Sequence, residues 1–214
     1  TIEDPVEFVR RHQKFIVNQR EVGFDRLSFQ AALKSAMRRA PGLILIGEIR
    51  DAETAQIAVQ ASLTGHLVFS TLHTNDAPGA QTRLIDMGVE PYLVASSLEL
   101  VLAQRLVRLI CAACREPIAV DEAVQLREQF GVDLPDSLYQ GRGCAECQGT
   151  GYRGRTGIFE MMPVDRSIRD LVLQRSSAGD IREVAVANGM STLSQDGWRL
   201  VREGKTTPEE VLRV

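Results

Sequence analysis

The chain has 214 residues, 44% of them hydrophobic and 25% charged, with a formal net charge of −3. That length suffices for one substantial core, or a core with a small satellite domain, and the slight acidity does not favour nucleic acid as a partner. Charges interrupt the longest apolar stretches, so no transmembrane helix is expected, and no signal peptide, repeat or low-complexity segment stands out.

In chain order, residues 1–4 read as the tip of a strand that Pro5 stops from continuing simply. Phe15 to Gln19 reads as a short strand and Gly23 as a turn. Ser28 to Ala40 has an amphipathic helical pattern that Pro41-Gly42 ends. Leu43 to Ile46 is an apolar run short enough for a buried parallel strand. Asp51 can cap a helix whose apolar positions, Ala55, Ile57, Ala58, Val59 and Leu63, recur at helical spacing, and Gly65 stops it. Leu67 to Leu72 is a further strand. Asp76 to Met87 reads as a helix capped by Gly88, and Pro91 opens a long helical pattern from Tyr92 to Ile110. Asp121 to Phe130 can fold as a helix. The last third carries helices over Ser167 to Gln174, Ala178 to Asn188, Leu193 to Glu203 and Pro208 to Arg213, with Trp198 as core.

The most informative stretch is LILIGEIRDAETAQIAVQASLTGHLVFSTLHTND, residues 43–76. Its two strands end in Gly47-Glu48 and in His73-Thr74-Asn75-Asp76. Ligands of open α/β sheets bind at the carboxyl ends of strands, and these groups suit a metal-bound polyphosphate.

LILIGEIRD resembles the Walker B segment, and TGHLVFSTLHTND the histidine box, of the secretion ATPases, the ring-shaped motors of type II secretion and type IV pili. TIEDPVE, residues 1–7, resembles the aspartate box of the same family. The motifs stand in the family's order and the likeness covers nearly the whole chain. It implies an α/β fold: a RecA-like P-loop NTPase core, then a small tetracysteine zinc element and a helical C-terminal region. The expected divisions are 1–110, 111–160 and 161–214.

No G-x-x-x-x-G-K-[ST] phosphate loop occurs. Gly204-Lys205-Thr206 is a decoy: it follows a helical pattern, with Gly204 as a C-cap and Lys205 as a surface lysine. In the family the phosphate loop precedes the aspartate box. The chain opens on that box without a methionine, so it is expected to be a fragment of a longer motor, inactive without the upstream loop.

Phosphoryl transfer needs Mg²⁺, an aligned water and positive charge on the γ-phosphate. Glu48, just beyond an apolar strand, is the candidate at the metal. The resemblance favours Glu3 for polarising the attacking water, with Asp4 in support and Glu7 a solvated loop carboxylate. Arg50 would organise the Walker B tip. His73 is placed as the γ-phosphate sensor. His66 belongs to the same box and is counted with the nucleotide-side candidates, although roughly 20 Å of strand separates it from His73. A subunit contact or a structural hydrogen bond is its alternative role, and His12 reads as a surface residue. GYRGRTG, residues 151–157, looks like a family motif, and Arg155 is the candidate arginine finger acting in trans. Its alternative is a surface salt bridge.

Cys111-x-x-Cys114 and Cys144-x-x-Cys147 are two knuckles that can supply four thiolates to a tetrahedral zinc. Two disulfides are the rival reading, and a cytoplasmic motor disfavours them. The expected role is structural, since four cysteines leave no open position.

KFIVNQREVG, residues 14–23, looks more like the pilus-retraction branch, whereas the later motifs look like the secretion and assembly branch. Ala40-Pro41-Gly42 stands where many relatives have Asp-Pro-Asp. The resemblance implies the C-terminal part of a hexameric, Mg²⁺-dependent cytoplasmic ATPase. It would use ATP to drive pseudopilus assembly and protein export by type II secretion. Its partners would be an inner-membrane platform protein and membrane-anchored cytoplasmic secretion components, holding it peripherally at the inner membrane without nucleic acid. The alternatives are a type IV pilus assembly or retraction ATPase, a non-catalytic zinc-containing scaffold, and a nucleic-acid motor with the same core, which composition and histidine box disfavour.

Overall fold

A computed structural model describes residues 1–25, 28–118 and 138–214. The helix expected over Asp121 to Phe130 lies outside the described residues. The chain forms two compact units: Thr1–Val101 with Pro163–Ala185, and Leu102–Met162 with Val186–Val214. The helical region expected at 161–214 is therefore shared between them.

The first unit is built on a four-stranded parallel sheet in the order β2-β1-β3-β4. Its strands are β1 (Ile2–Glu3), β2 (Arg20–Glu21), β3 (Leu43–Ile46) and β4 (Leu67–Ser70). Register pairs Leu43 with Leu67 and Ile46 with both Ser70 and Ile2. Ile44 and Ile46 are buried, whereas Leu67 and Phe69 on the sheet's edge are 55% and 51% exposed. The strand expected over Phe15 to Gln19 is absent. Pairing begins only at Arg20, and Phe15 and Ile16 are exposed, so their apolar character marks no buried strand.

Helices α1 (Phe29–Met37) and α2 (Ala52–Leu63) pack on one another. Ser28 caps the first, accepting from the Ala31 N–H. Asp51 caps the second, accepting from the Thr54 N–H at 2.8 Å. Each cap satisfies an amide that has no partner within its helix. Ala55, Ile57, Ala58, Val59 and Ala61 bury the inner face of α2. Helix α3 (Pro78–Asp86) follows β4, then α4 (Pro91–Ser97). From the later chain, α5 (Arg166–Leu173) and α6 (Ala178–Ala187) complete the unit. The Val164 N–H donates to the Glu99 carbonyl at 2.9 Å, and Arg169 grips the Glu99 carboxylate through its Nη2.

The helix expected over Tyr92 to Ile110 is corrected. It stops at Ser97, and β5 (Leu100–Ile110) replaces its second half, pairing with β8 (Tyr152–Pro163). LVLAQRLVRLI has apolar residues at helical and at alternating spacings alike. Sheet pairing and burial of Val107 against Ile158 and Leu200 select the strand. In the second unit, β6 (Arg115–Pro117) pairs antiparallel with β7 (Tyr139–Gly141). Helices α7 (Leu193–Arg202) and α8 (Pro208–Arg213) pack together. Trp198, Val201 and Val211 join Ile118 and Leu138 in a core. After α7, Gly204 has φ 63 and its N–H donates to the Val201 carbonyl, a left-handed helix stop. Lys205 pairs with Glu203 at 2.7 Å, so GKT forms no phosphate loop.

Candidate functional site

The carboxyl ends of β1, β3 and β4 bring the first site together. The Gly47 N–H donates to the Ile2 carbonyl at 2.7 Å. A Cβ on Gly47 would lie 3.3 Å from the Glu3 Cα, so a bare backbone here lets β1 and β3 close up. The Thr71 hydroxyl donates to the Gly47 carbonyl at 2.7 Å and the Ile49 N–H to the Thr71 carbonyl at 3.0 Å, fastening the β3 tip to the β4 tip.

These links aim Glu48 at His73, with Glu48 Oε2 3.0 Å from His73 Nε2. The other oxygen, Oε1, accepts from Arg50 Nη2. Arg50 beside it holds the Glu48 carboxyl below the usual carboxylate range, with help from His73 and against the desolvation of a largely buried side chain. The hydrogen bond to Glu48 and its charge raise the Arg50 pKa in turn, and the charge of Asp4 adds to them. Glu3, buried at the end of β1, accepts from the Thr1 hydroxyl and from Gln19 Nε2 at 3.1 Å. Desolvation pushes its pKa up, but those hydrogen bonds and Arg10 outweigh it and the net shift is downward. The strand tips thus present ionised carboxylates, a guanidinium and an exposed imidazole, a set that can hold a divalent cation and a phosphate. Glu7 is exposed.

His66 is not part of this group. Its Nδ1 lies 3.0 Å from the Ala61 carbonyl and its backbone N–H donates to the same oxygen, so it closes the end of α2 at the start of β4. Asp76 turns the chain into α3, accepting from the Gly79 N–H at 2.7 Å, and pairs with Arg182. Gln19, which orients Glu3 and also donates to the Phe8 carbonyl, carries no sequence signal. Its role arises from a loop that brings residue 19 back to β1.

The second candidate site lies in the second unit. The sulfurs of Cys111, Cys114, Cys144 and Cys147 all lie within 4.8 Å of one another, and all four are free thiols. Cys111 to Cys144 is 3.9 Å, Cys114 to Cys147 is 3.8 Å and Cys144 to Cys147 is 3.7 Å. Four thiolates ~2.3 Å from a tetrahedral zinc stand about 3.8 Å apart, so the cluster fits that ion. Backbone N–H groups of Cys144 and Gly151 donate to the Cys147 sulfur at 3.2 and 3.3 Å. The first of these leads in lowering the Cys147 thiol to about 6, while burial pushes Cys114 up to about 12. The knuckles approach because Gly141 faces Gly151: a Cβ on Gly141 would sit 2.0 Å from the Gly151 carbonyl oxygen.

Arg155 lies on β8, exposed, where it lines a pocket with Leu106, Arg108 and Arg213.

Residues 1–213 match the family described as type II/IV secretion system protein. The chain belongs to that family. It is 50% identical over 216 residues to type II secretion system protein E of Pseudomonas aeruginosa, covering 100% of this chain and 42% of that protein. It is 46% identical over 220 residues to the type IV pilus assembly ATPase PilB of Myxococcus xanthus, covering 99% and 38% respectively. Among solved structures, the pilus retraction motor PilT with bound ADP matches with a TM-score of 0.72 at 30% identity, over 99% of this chain and 50% of that one. The chain thus spans about two-fifths of the length of these curated relatives. The fold is the α/β, RecA-like fold of the secretion motors, with a four-cysteine cluster. Among the described residues, no helix is long and apolar enough to cross a membrane.

Proposed function

We propose that this chain is the C-terminal part of a hexameric secretion ATPase that hydrolyses ATP to drive pseudopilus assembly in type II secretion. The observation that carries the reading is the 3.0 Å approach of Glu48 and His73, which joins the Walker B tip to the histidine-box tip. The higher identity to a type II secretion protein supports secretion over pilus assembly. Pilus assembly is the second reading, favoured by 46% identity to a pilus ATPase.

In this reading residues 1–110 supply half of the nucleotide site, residues 111–160 the zinc element and residues 161–214 helical support. Glu48 would hold Mg²⁺, which when bound neutralises phosphate charge. Arg50 keeps the Glu48 carboxylate ionised and oriented. His73 contacts the γ-phosphate, and Glu3 takes up a proton from the attacking water, held by Gln19 and supported by Asp4. Arg155 reaches the nucleotide of a neighbouring subunit. The four cysteines would hold one Zn²⁺ as a structural clamp. The chain works in the cytoplasm, held at the inner membrane by a platform protein and membrane-anchored secretion components.

The open edge at β4 supports an additional strand there. A parallel strand with bare apolar residues is ordinarily covered on both sides, and a strand leading into the phosphate loop would cover it. The test is Mg²⁺-dependent ATP turnover. The full-length protein is expected to turn over ATP without stimulation by nucleic acid, and the 214-residue chain to hydrolyse none. A full-length protein that binds zinc but never hydrolyses ATP would instead be a scaffold.

A further inference from the structure

The second unit holds a cluster of which the functions above use only Arg155. Glu210 on α8 is buried, and both its oxygens are taken. Oε1 accepts from Arg108 Nη2 at 2.6 Å and Arg213 Nε at 3.1 Å, and Oε2 from the Arg108 backbone N–H at 3.0 Å and Arg213 Nη2 at 3.1 Å. Arg108 also lies over the Tyr152 ring, 4.1 Å from its centre, and the Tyr152 hydroxyl is 2.9 Å from Thr207 Oγ1. One carboxylate and one aromatic ring therefore fix two guanidinium groups, and most of their N–H donors remain unspent.

Arg155 is the third arginine of this group, and no hydrogen bond or ion pair engages its side chain among the described residues. Together Leu106, Arg108, Arg155 and Arg213 line a pocket of about 440 Å³. Three guanidinium groups against one carboxylate leave an excess of two positive charges, which repel one another unless an anion enters.

We propose that this pocket binds a phosphate-class oxyanion. Near neutral pH a phosphate monoester carries about −1.5 to −2, matching the excess, and planar guanidinium forks fit its oxygens two at a time. Half-exposed Leu106 supplies an apolar wall that limits hydration on one side. The anion can be free orthophosphate or the terminal phosphate of a nucleotide. The pocket itself lies wholly within the second unit and does not depend on the ATPase reading; only the nucleotide source rests on it.

The test is NMR titration of the 214-residue chain, following arginine Nε–H signals at constant ionic strength, with sodium phosphate, ADP and ATP in separate arms and sodium chloride as control. Phosphate is expected to give saturable shifts at Arg108, Arg155 and Arg213 that chloride does not. Arg155→Gln is expected to weaken binding about tenfold or more, as the loss of a charged hydrogen bond does, and Arg155→Lys less. Trp198 fluorescence checks that both variants keep the second unit folded. Tighter binding of ATP than of phosphate at the same arginines assigns the nucleotide as source, and equal binding assigns free phosphate. No saturable response, shifts that map elsewhere, or undiminished binding by Arg155→Gln would overturn the proposal. Such a failure leaves the Glu48 and His73 half of the ATPase reading intact, since neither residue takes part in this pocket.

Discussion

Glu210→Gln is the substitution whose cost the structure allows to be worked out. The carboxylate is 1% exposed, and Arg108 first, then Arg213, draw its pKa from 4.5 to about 2 against desolvation. Taken at face value that shift is worth about 3 kcal/mol at neutral pH. The partner side chains are 44% and 55% exposed, however, so solvent screening reduces the electrostatic part to ~1–2 kcal/mol. Glutamine also turns an NH₂ donor toward guanidinium donors, leaving a buried polar group unsatisfied, for about 1 kcal/mol more. The expected loss is ~2–3 kcal/mol in urea denaturation followed by Trp198 fluorescence, which reports the core that Trp198 shares with Val211. The pH dependence has a definite sign. A depressed carboxyl pKa stabilises the fold above the unfolded value, and this stabilisation fades as pH falls from 4.5 through about 2. The gap between parent and variant should therefore narrow with acidification. A gap under ~0.5 kcal/mol at neutral pH, or one unchanged near pH 2, would refute the assignment of this stability to the Glu210 charge.

Protein prepared without chelator should carry one zinc per chain by metal analysis, and Cys144→Ser should lose it and loosen the second unit while circular dichroism of the first persists. Disulfides between Cys111 and Cys114 or Cys144 and Cys147 would contradict this. Gly141→Ala should lower zinc retention although it touches no ligand, because its Cβ would collide with the Gly151 carbonyl at 2.0 Å; retention equal to the parent's would count against that packing. Phe69→Lys should reduce self-association of the 214-residue chain by sedimentation, since it places a charge on the open β4 edge. Unchanged association would show that the edge is not what the chains use.

What was legible in the sequence was local. Leu43–Ile46, the Asp51 cap and Gly65 are encoded within a few residues of one another, and the structure reproduces each. The cysteine knuckles are likewise short motifs, and folding needs only to bring two of them together. Residues 100–110 were not legible, because their apolar spacing satisfies both periods and only pairing with β8 decides between them. Glu210 and Arg108 stand far apart in sequence, so their buried contact has no local signature, and nothing in PEEVLR sets Glu210 apart from its neighbour Glu209. The position of His66 was half legible. Its distance from His73 follows from strand rise, but the Ala61 carbonyl that engages it becomes apparent only where α2 ends.

The proposal that Glu48 and His73 form one half of an ATP-hydrolysing site is tested most directly by comparing Glu48→Gln with Glu7→Gln in the full-length protein. Glutamine at 48 keeps the shape but removes the charge at Mg²⁺, which matters more for the transition state than for nucleotide binding. Glu48→Gln is expected to lower ATP turnover at least about a hundredfold while nucleotide affinity changes little, and Glu7→Gln to leave both unaltered. Turnover by Glu48→Gln equal to that of the parent, or loss of activity in Glu7→Gln instead, would contradict this account.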